Sequence, residues 1–171
     1  MMAMPEGKRL RLLIVLGEGG HTKQMLRLVE LLGPGYEYHY VVNQGDVLSA
    51  LRLPFPGPTY ALVRPRAKQG GRTDSFLRAA WQMLIALRQA WRVVRRVRPH
   101  AVIGAGPSIS VPVSLAGKVL GAKAIHVETA SRIHALSLTG KIMYRLADLF
   151  IVQWETLRAR YPRAVYAGRL W

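Results

Sequence analysis

The sequence predicts a single α/β domain, a Rossmann-like unit with a mostly parallel sheet. Strand-like runs alternate with helical patterns along the chain, which is typical of right-handed β–α–β crossovers. The first run, LLIVL at 12–16, is apolar at every position, as a strand buried on both faces of a parallel sheet requires. A chain of 171 residues has room for one good core. We therefore expect one domain over 9–171, after a flexible N-terminus at 1–8.

In the first half of the chain, the predicted strands and helices are separated by loops rich in glycine, proline or basic residues. Gly33-Pro34-Gly35 ends the first helix, and Asp74 or Ser75 can cap a long one. Residues 64–73 are predicted to form an irregular basic loop. The predicted elements are a strand at 12–16, a helix at 22–32, strands at 36–42 and 60–63, and a helix from about 76 to 97.

The second half repeats the alternation, and its polar loops follow buried strands. Pro107 suits the first turn of a helix. His21, the segment 104–108 and Glu128 each lie just beyond a predicted strand, and the carboxyl ends of parallel strands meet at one sheet edge. We therefore expect these three loops to converge. The predicted elements are strands at 101–104, 123–127, 149–152 and 164–166, and helices after Pro107, at 138–146 and at 155–161.

The loop at 17–21 is the most informative segment. Its glycines, Gly17, Gly19 and Gly20, allow a tight turn and close approach of a ligand to the backbone. The free N–H groups of the following helix favour an anion, so the loop suits a phosphate or a carbohydrate hydroxyl. The glycine spacing matches neither the dinucleotide-binding nor the ATP-binding pattern. A tight turn that binds nothing is the alternative.

Composition limits the possible partners. Twenty-five Lys and Arg against nine Asp and Glu give a net charge of +16, which attracts nucleic acid, anionic lipid or a phosphorylated substrate. The chain has no cysteine, and its five histidines are scattered, so we expect no metal and no cofactor. We see no signal peptide and no run of about 18 apolar residues that could span a bilayer. The expectation is a cytoplasmic protein.

The long helix carries an unusual outer face. Its arginines repeat at i, i+4, where like charges repel, and no carboxylate on the helix relieves that repulsion. Arginine exposed beside Trp and Ile is typical of an interfacial membrane surface, whereas a solvated arginine face is the alternative. The apolar face predicted to pack on the sheet comprises Phe76, Met83, Leu87, Trp91, Val94 and Val97. The predicted outer face comprises Arg78, Trp81, Gln82, Ile85, Gln89, Arg92 and Arg96, with Arg88 and Arg95 on its flank.

Several blocks of the sequence resemble a known family. They are GEGGHTKQML at 17–26, PRAKQGGR at 65–72, GAGPSISVP at 104–112, HVETASRIHALSLTGKIMYRLADLFIVQWETL at 126–157 and YPRAVYAGRL at 161–170. Together they resemble the Alg14 family, the acceptor-side, membrane-recruiting subunit of a UDP-N-acetylglucosamine transferase. A more distant likeness is to MurG, a single-chain analogue with a comparable Gly-Gly-His loop. Glu18, Thr129, Thr139 and the lack of an N-terminal membrane anchor depart from the eukaryotic pattern. The missing anchor favours a prokaryotic member, and the two threonines are mild changes.

The resemblance implies half of a GT-B glycosyltransferase, equivalent to its N-terminal domain. The other half would be a separate donor-binding subunit that shares the UDP-sugar. The acceptor would be a sugar linked to a polyprenyl diphosphate, and the chain would sit on the cytoplasmic face of an anionic membrane. The implied membrane contact is made by Trp81, Ile85, Arg88, Arg92 and Arg96, and the implied partner contact by Trp154, Arg169 and Trp171.

Inverting transfer needs a base that takes the proton of the acceptor hydroxyl. His21 is the first candidate because it lies on a rigid loop and has a pKa near neutrality. Glu128 could instead take the proton, orient His21 or bind sugar hydroxyls, and either residue could be purely structural. The candidates for binding the acceptor or its phosphates are Gly19, Gly20, Thr22, Arg66, Lys68, Gly106, Ser108 and Arg132.

Two other classes of function remain open at this point. A non-catalytic scaffold could tether a complete glycosyltransferase to the membrane. A basic nucleic-acid-binding protein would explain the charge, but the sequence contains no recognisable recognition helix or aromatic RNA-binding motif.

Overall fold

The computed structural model describes residues 9–17, 19–46, 52–65, 68–69, 72–73 and 76–170. The predicted flexible N-terminus at 1–8 lies outside these residues, as do the proposed helix caps Asp74 and Ser75. The strands are β1 (Arg11–Val15), β2 (Glu37–Asn43), β3 (Thr59–Leu62), β4 (Lys68–Gln69), β5 (Arg72–Thr73), β6 (Ala101–Ala105), β7 (Lys123–Val127), β8 (Leu149–Val152) and β9 (Val165–Tyr166). The helices are α1 (Gly20–Leu32), α2 (Phe76–Val97), α3 (Ser110–Val119), α4 (Leu138–Leu146) and α5 (Thr156–Arg160).

Seven parallel strands form the main sheet of the described chain, in the order β3-β2-β1-β6-β7-β8-β9. This confirms the predicted α/β class. The strand order reverses between β1 and β6, where Leu12 pairs with Ala101 and Val15 with Gly104. Ligands of open parallel sheets bind beyond the carboxyl ends of the strands at such a reversal.

The central strand is apolar throughout because both of its faces are covered. Leu13, Ile14 and Val15 are fully buried, and alternate side chains enter different cores. Ile14 packs with α1 residues such as Met25 and Val29. Leu13 and Val15 pack with side chains of α2 and α3 on the opposite face. Burying a side chain of this size contributes about 1.5–3 kcal/mol, so this strand stabilises the sheet beneath the site loops.

The structure corrects two details of the predicted loops. Residues 64–73 are not wholly irregular, because β4 and β5 pair antiparallel with Lys68 opposite Thr73. Pro107 does not lie in the first turn of a helix, since α3 begins at Ser110. The Ser110 N–H donates to the Pro107 carbonyl at 3.0 Å, so Pro107 belongs to a separate turn before the helix.

The packing stripe of α2 also differs from the prediction. Ala86, Ala90, Val94 and Val97 are buried, whereas Trp91 is 37% exposed. The small alanines allow α2 to approach α3 closely, so the packed face of the helix is rotated relative to the stripe predicted from hydrophobic periodicity. Two glutamines predicted on the outer face lie half-buried, and one of them, Gln89, accepts from the Val63 N–H at 2.8 Å. Helix α2, like the other helices of the described residues, is not long and apolar enough to cross a membrane.

Candidate active site

Glycines at two loops position His21 at the carboxyl edge of the sheet. The α1 helix begins after Gly19, whose φ is 58°, and His21 lies in its first turn. A Cβ added to Gly106 would lie 2.3 Å from Cε1 of His21, and Gly106 itself has a φ of 68°. A Cβ on Gly17 would lie 2.8 Å from Cβ of His21. The imidazole can therefore rest on the β6–α3 loop only because these positions lack side chains.

A cavity of 460 Å³ opens beside His21. It joins the three loops that the sequence predicts to converge, those after β1, β6 and β7. Gly106, Ser108 and Arg132 of the proposed acceptor residues lie in its wall. The lining residues are His21, Asn43, Arg64, Gly106, Pro107, Ser108, Thr129, Ser131, Arg132 and Ser137.

The cavity favours an anion. Arg64 and Arg132 line it, and no carboxylate is among its described lining residues. The N-termini of α1 and α3 point to the same edge, and neither has a side-chain cap. Exposed N–H groups and the helix dipole attract phosphate at such positions. The site can therefore hold a phosphorylated ligand beside an imidazole.

His21 is suited to accept a proton. Burial, and secondarily the positive charge of Arg132, lower the pKa of His21 below its ordinary value of 6.5. Its Nδ1 is buried and has no hydrogen-bond partner among the described residues. The imidazole is therefore neutral at pH 7. His126 lies deeper, stacked on Phe150, and burial lowers its pKa to about 3.

Glu128 takes a different place from His21, although it follows β7 at the same edge. Its side chain is fully buried and does not line the cavity. Oε1 accepts from the Thr129 N–H and the Ser137 hydroxyl, both at 3.1 Å, and Oε2 accepts from the Ser137 N–H at 3.3 Å. Burial raises the pKa of this carboxyl, and the hydrogen bonds oppose that rise. These contacts favour a positioning role, and a direct catalytic role for Glu128 stays a prediction.

Gly140 makes the Glu128 arrangement possible. A Cβ on Gly140 would lie 1.6 Å from Oε2 of Glu128, so this position in the first turn of α4 has no room for a side chain. The Gly140 N–H in turn donates to the Ser137 hydroxyl at 2.8 Å, which caps the helix. The carboxylate thereby joins the end of β7 to the start of α4 and fixes the cavity wall at 129–137.

The remaining acceptor candidates divide into three groups. Gly19 and Gly20 have open space above them, which fits close approach of a ligand. The Thr22 hydroxyl instead donates to the Gly17 carbonyl inside the turn and is not among the lining residues of the cavity, so its ligand role stays a prediction. Arg66 and the side chain of Lys68 lie outside the described residues. Arg132 forms no ion pair with Glu128 within the described residues, although its positive charge acts to lower the pKa of that carboxyl.

Five cavity residues were missed by sequence reasoning, and most of them share one signal. Asn43 ends β2, Arg64 follows β3 by two residues, and Thr129 follows β7 by two. Polar residues at the carboxyl ends of the remaining parallel strands could therefore have been added to the site. The missed polar residues are Asn43, Arg64, Thr129, Ser131 and Ser137.

The outer face of α2 combines exposed apolar side chains with arginines. Leu77 and Trp81 are 79% and 65% exposed, and Leu84 is exposed beside them. Trp81 and Leu84 line a groove with a volume of 580 Å³, and Arg88 and Arg92 line the same groove further toward the C-terminus of the helix. We call this surface, formed by Leu77, Trp81, Leu84, Ile85, Arg88, Arg92 and Arg96, the α2 outer face.

The proposed partner residues contact each other within the chain. The Arg169 guanidinium lies 3.8 Å from the centre of the Trp154 ring, and the Trp154 indole N–H donates to the Ala130 carbonyl at 2.6 Å. Trp171 lies outside the described residues. Contact of these residues with another subunit stays a prediction.

Comparison with known proteins gives the family. Residues 12–170 match the family model described as "Oligosaccharide biosynthesis protein Alg14 like". The chain is 35% identical to the UDP-N-acetylglucosamine transferase subunit ALG14 of Rattus norvegicus, covering 94% of this chain and 83% of that protein. Identity to the Homo sapiens subunit of that name is 32% over the same shares of the two chains.

Solved structures support the fold. MurG of Acinetobacter baumannii aligns with a TM-score of 0.66 at 21% identity, over 85% of this chain and 41% of MurG. The UDP-GlcNAc 2-epimerase of Neisseria meningitidis aligns with a TM-score of 0.61 at 11% identity, over 93% of this chain and 47% of the epimerase. The likeness thus covers about half of each of these longer proteins. Because the family model spans nearly the whole chain and the relatives are covered over most of their length, this chain belongs to the Alg14 family.

Proposed function

We propose that this chain is the acceptor-binding, membrane-associating subunit of a split GT-B glycosyltransferase. The complex transfers N-acetylglucosamine, or a related hexose, from a UDP-sugar to a sugar carried on a polyprenyl diphosphate. The observation that carries the proposal is the match over nearly the full chain to proteins named as UDP-N-acetylglucosamine transferase subunits. The alignment with only 41% of MurG supports a division of the enzyme between two chains.

The cavity supplies an acceptor site. In this proposal Arg64 and Arg132 pair with the diphosphate and the sugar hydroxyl lies near His21. The shared lining of one cavity by these three residues supports it. In the transfer step this hydroxyl oxygen forms a bond to the anomeric carbon of the donor sugar, and the bond from that carbon to UDP breaks. His21 takes the hydroxyl proton, and UDP leaves with the electron pair of the broken bond. The donor-binding subunit holds UDP.

Activity should depend on the second subunit. The purified chain, mixed with radiolabelled UDP-GlcNAc and a synthetic lipid-diphosphate-linked GlcNAc, is expected to form no disaccharide above background. Coexpression with a donor-binding subunit from the same organism should produce transfer, because the GT-B reaction occurs between two Rossmann-like halves. Full turnover by this chain alone would contradict the split enzyme. Activity only with a complete two-domain transferase would favour the scaffold instead.

The α2 outer face should bind the cytoplasmic surface of an anionic membrane. A basic residue near such a surface contributes about 1 kcal/mol, so changing Arg88, Arg92 and Arg96 to Gln should weaken binding to phosphatidylglycerol vesicles by about 10²-fold. Co-sedimentation measures the difference. The matched control changes the exposed arginines Arg158, Arg160 and Arg163 to Gln, which removes the same charge from another surface. Equal losses in both variants would assign the attraction to net charge alone.

A further inference from the structure

Gln153 is a buried amide that joins distant parts of the chain. It follows β8 directly and is 1% exposed. Its Nε2 donates to Oε1 of Gln24 at 2.9 Å and to the Glu128 carbonyl at 3.0 Å. Its Oε1 accepts from the Leu170 N–H at 2.8 Å. Both amide protons and the carbonyl oxygen are therefore engaged, each with a different segment of the fold.

Two of these bonds lead to two different segments that contribute residues to the cavity wall. Gln24 lies one helical turn after His21 in α1, and its Oε1 also accepts from the Ala130 N–H at 3.4 Å. Glu128 and Ala130 flank Thr129, which lines the cavity. The Gln153–Gln24 amide pair therefore sets the separation between the helix that carries His21 and the loop that carries Thr129 and Arg132.

The third bond leads to the C-terminal segment, residues 169–170. The Leu170 side chain packs partly buried against the α1-side core. Next to it, the Arg169 guanidinium stacks on Trp154, whose indole N–H donates to the Ala130 carbonyl. Two consecutive residues after β8 thus connect the C-terminal segment to the 128–130 backbone, one through an amide and the other through an indole.

We propose that Gln153 is a positioning residue that couples the C-terminal segment to the two walls of the acceptor cavity. A shift of residues 169–170 takes the Leu170 N–H away from Oε1 of Gln153. Leaving this buried amide oxygen without that donor is costly. The amide then reorients, and the bonds to Gln24 and Glu128 weaken with it. Any ligand or subunit that fixes the segment should tighten the cavity. The coupling is a property of this chain, whereas its effect on transfer rests on the proposed function.

Two variants test the coupling in the isolated chain. Gln153→Met keeps side-chain volume but removes all three bonds, and Leu170→Pro removes the backbone donor while Gln153 stays intact. Amide hydrogen exchange of residues 129–132 and 20–24 should accelerate by about tenfold or more in both variants. Leu170→Ala is the control, since it keeps the N–H and should leave exchange in these segments within about threefold of the parent chain. Unchanged exchange at 129–132 in Leu170→Pro would overturn the coupling. This result decides the test even if Gln153→Met fails to fold.

A second measurement separates the coupling from the proposed function. In the reconstituted transferase, Leu170→Pro should raise the KM for the lipid-linked acceptor by about tenfold and leave the KM for UDP-GlcNAc unchanged. Leu170→Ala should leave both values near those of the parent complex. Faster exchange without any change in acceptor KM would confirm the coupling and refute the assignment of this cavity to the acceptor. If only the KM for UDP-GlcNAc rises, the cavity binds the donor and its assignment to the acceptor is likewise refuted.

Discussion

Replacing His21 with Ala should lower the turnover of the reconstituted transferase by about 10²-fold or more, the usual scale for loss of a general base. The imidazole lines the cavity and is only partly buried, so its removal should leave the fold and the assembly with the donor subunit intact. Turnover is measured at saturating acceptor and donor. A rise in acceptor KM with unchanged turnover would make His21 a binding residue.

The pH profile provides an independent check on the base. Because burial and Arg132 both lower the pKa of His21, the acid limb of kcat/KM for the complex should have its midpoint below pH 6.5. Above that midpoint the neutral base is present, and below it protonation removes the activity. Arg132→Gln removes a neighbouring positive charge and should move the midpoint upward. An acid limb that persists in His21→Ala would assign the titration to another group.

Glu128→Gln is the comparison variant for His21→Ala. Its carboxylate is buried away from the cavity and is bound by Thr129 and Ser137, so substitution should act mainly on the stability of the 129–137 wall. We expect the unfolding midpoint in urea to fall while the position of the acid limb stays unchanged. Loss of the limb in Glu128→Gln, with His21→Ala still active, would identify Glu128 as the base.

Local patterns determined most of the fold prediction. The strands at 123–127 and 149–152 and the helix at 138–146 match the observed bounds because each carries a clear period between turn signals. The α2 packing stripe was confirmed at Val94 and Val97 but wrong at Trp91, because helical periodicity ranks positions by hydrophobicity. The observed contact instead depends on the small size of Ala86 and Ala90, which allows close approach to α3.

The site was predictable at the level of loops and less so at the level of atoms. Parallel strands require that the loops of His21, Gly106 and Glu128 share one edge, and the first two meet in the cavity. Whether a side chain after β7 turns into the cavity or away from it depends on its partners, and for Glu128 these include Ser137, the cap of α4. Ser137 and Gly140 are distant in sequence from Glu128, and their contact with its carboxylate has no signature in a single sequence.

Gly140→Ala should destabilise the chain by roughly 2–4 kcal/mol, which reverses the usual effect of this substitution in a helix. Elsewhere, Gly to Ala within a helix stabilises by about 0.5–1 kcal/mol. Here the new methyl would lie 1.6 Å from Oε2 of Glu128, and that carboxylate is fully buried and bound to Thr129 and Ser137. To relieve the clash, the carboxylate must move away and break its hydrogen bonds to Thr129 and Ser137. Urea unfolding gives the free energy difference.

Glu128→Ala supplies the background that isolates this clash. Without the carboxylate, Gly140→Ala should be neutral or stabilising, so the double-mutant cycle should show a coupling of at least about 2 kcal/mol. Gly20→Ala is the matched control, because Gly20 also lies in the first turn of a helix but has nothing within 4 Å of an added Cβ. It should not destabilise the chain. Equal losses from Gly140→Ala with and without Glu128 would place the clash elsewhere, and a gain in the parent chain would show that the carboxylate is not held against α4.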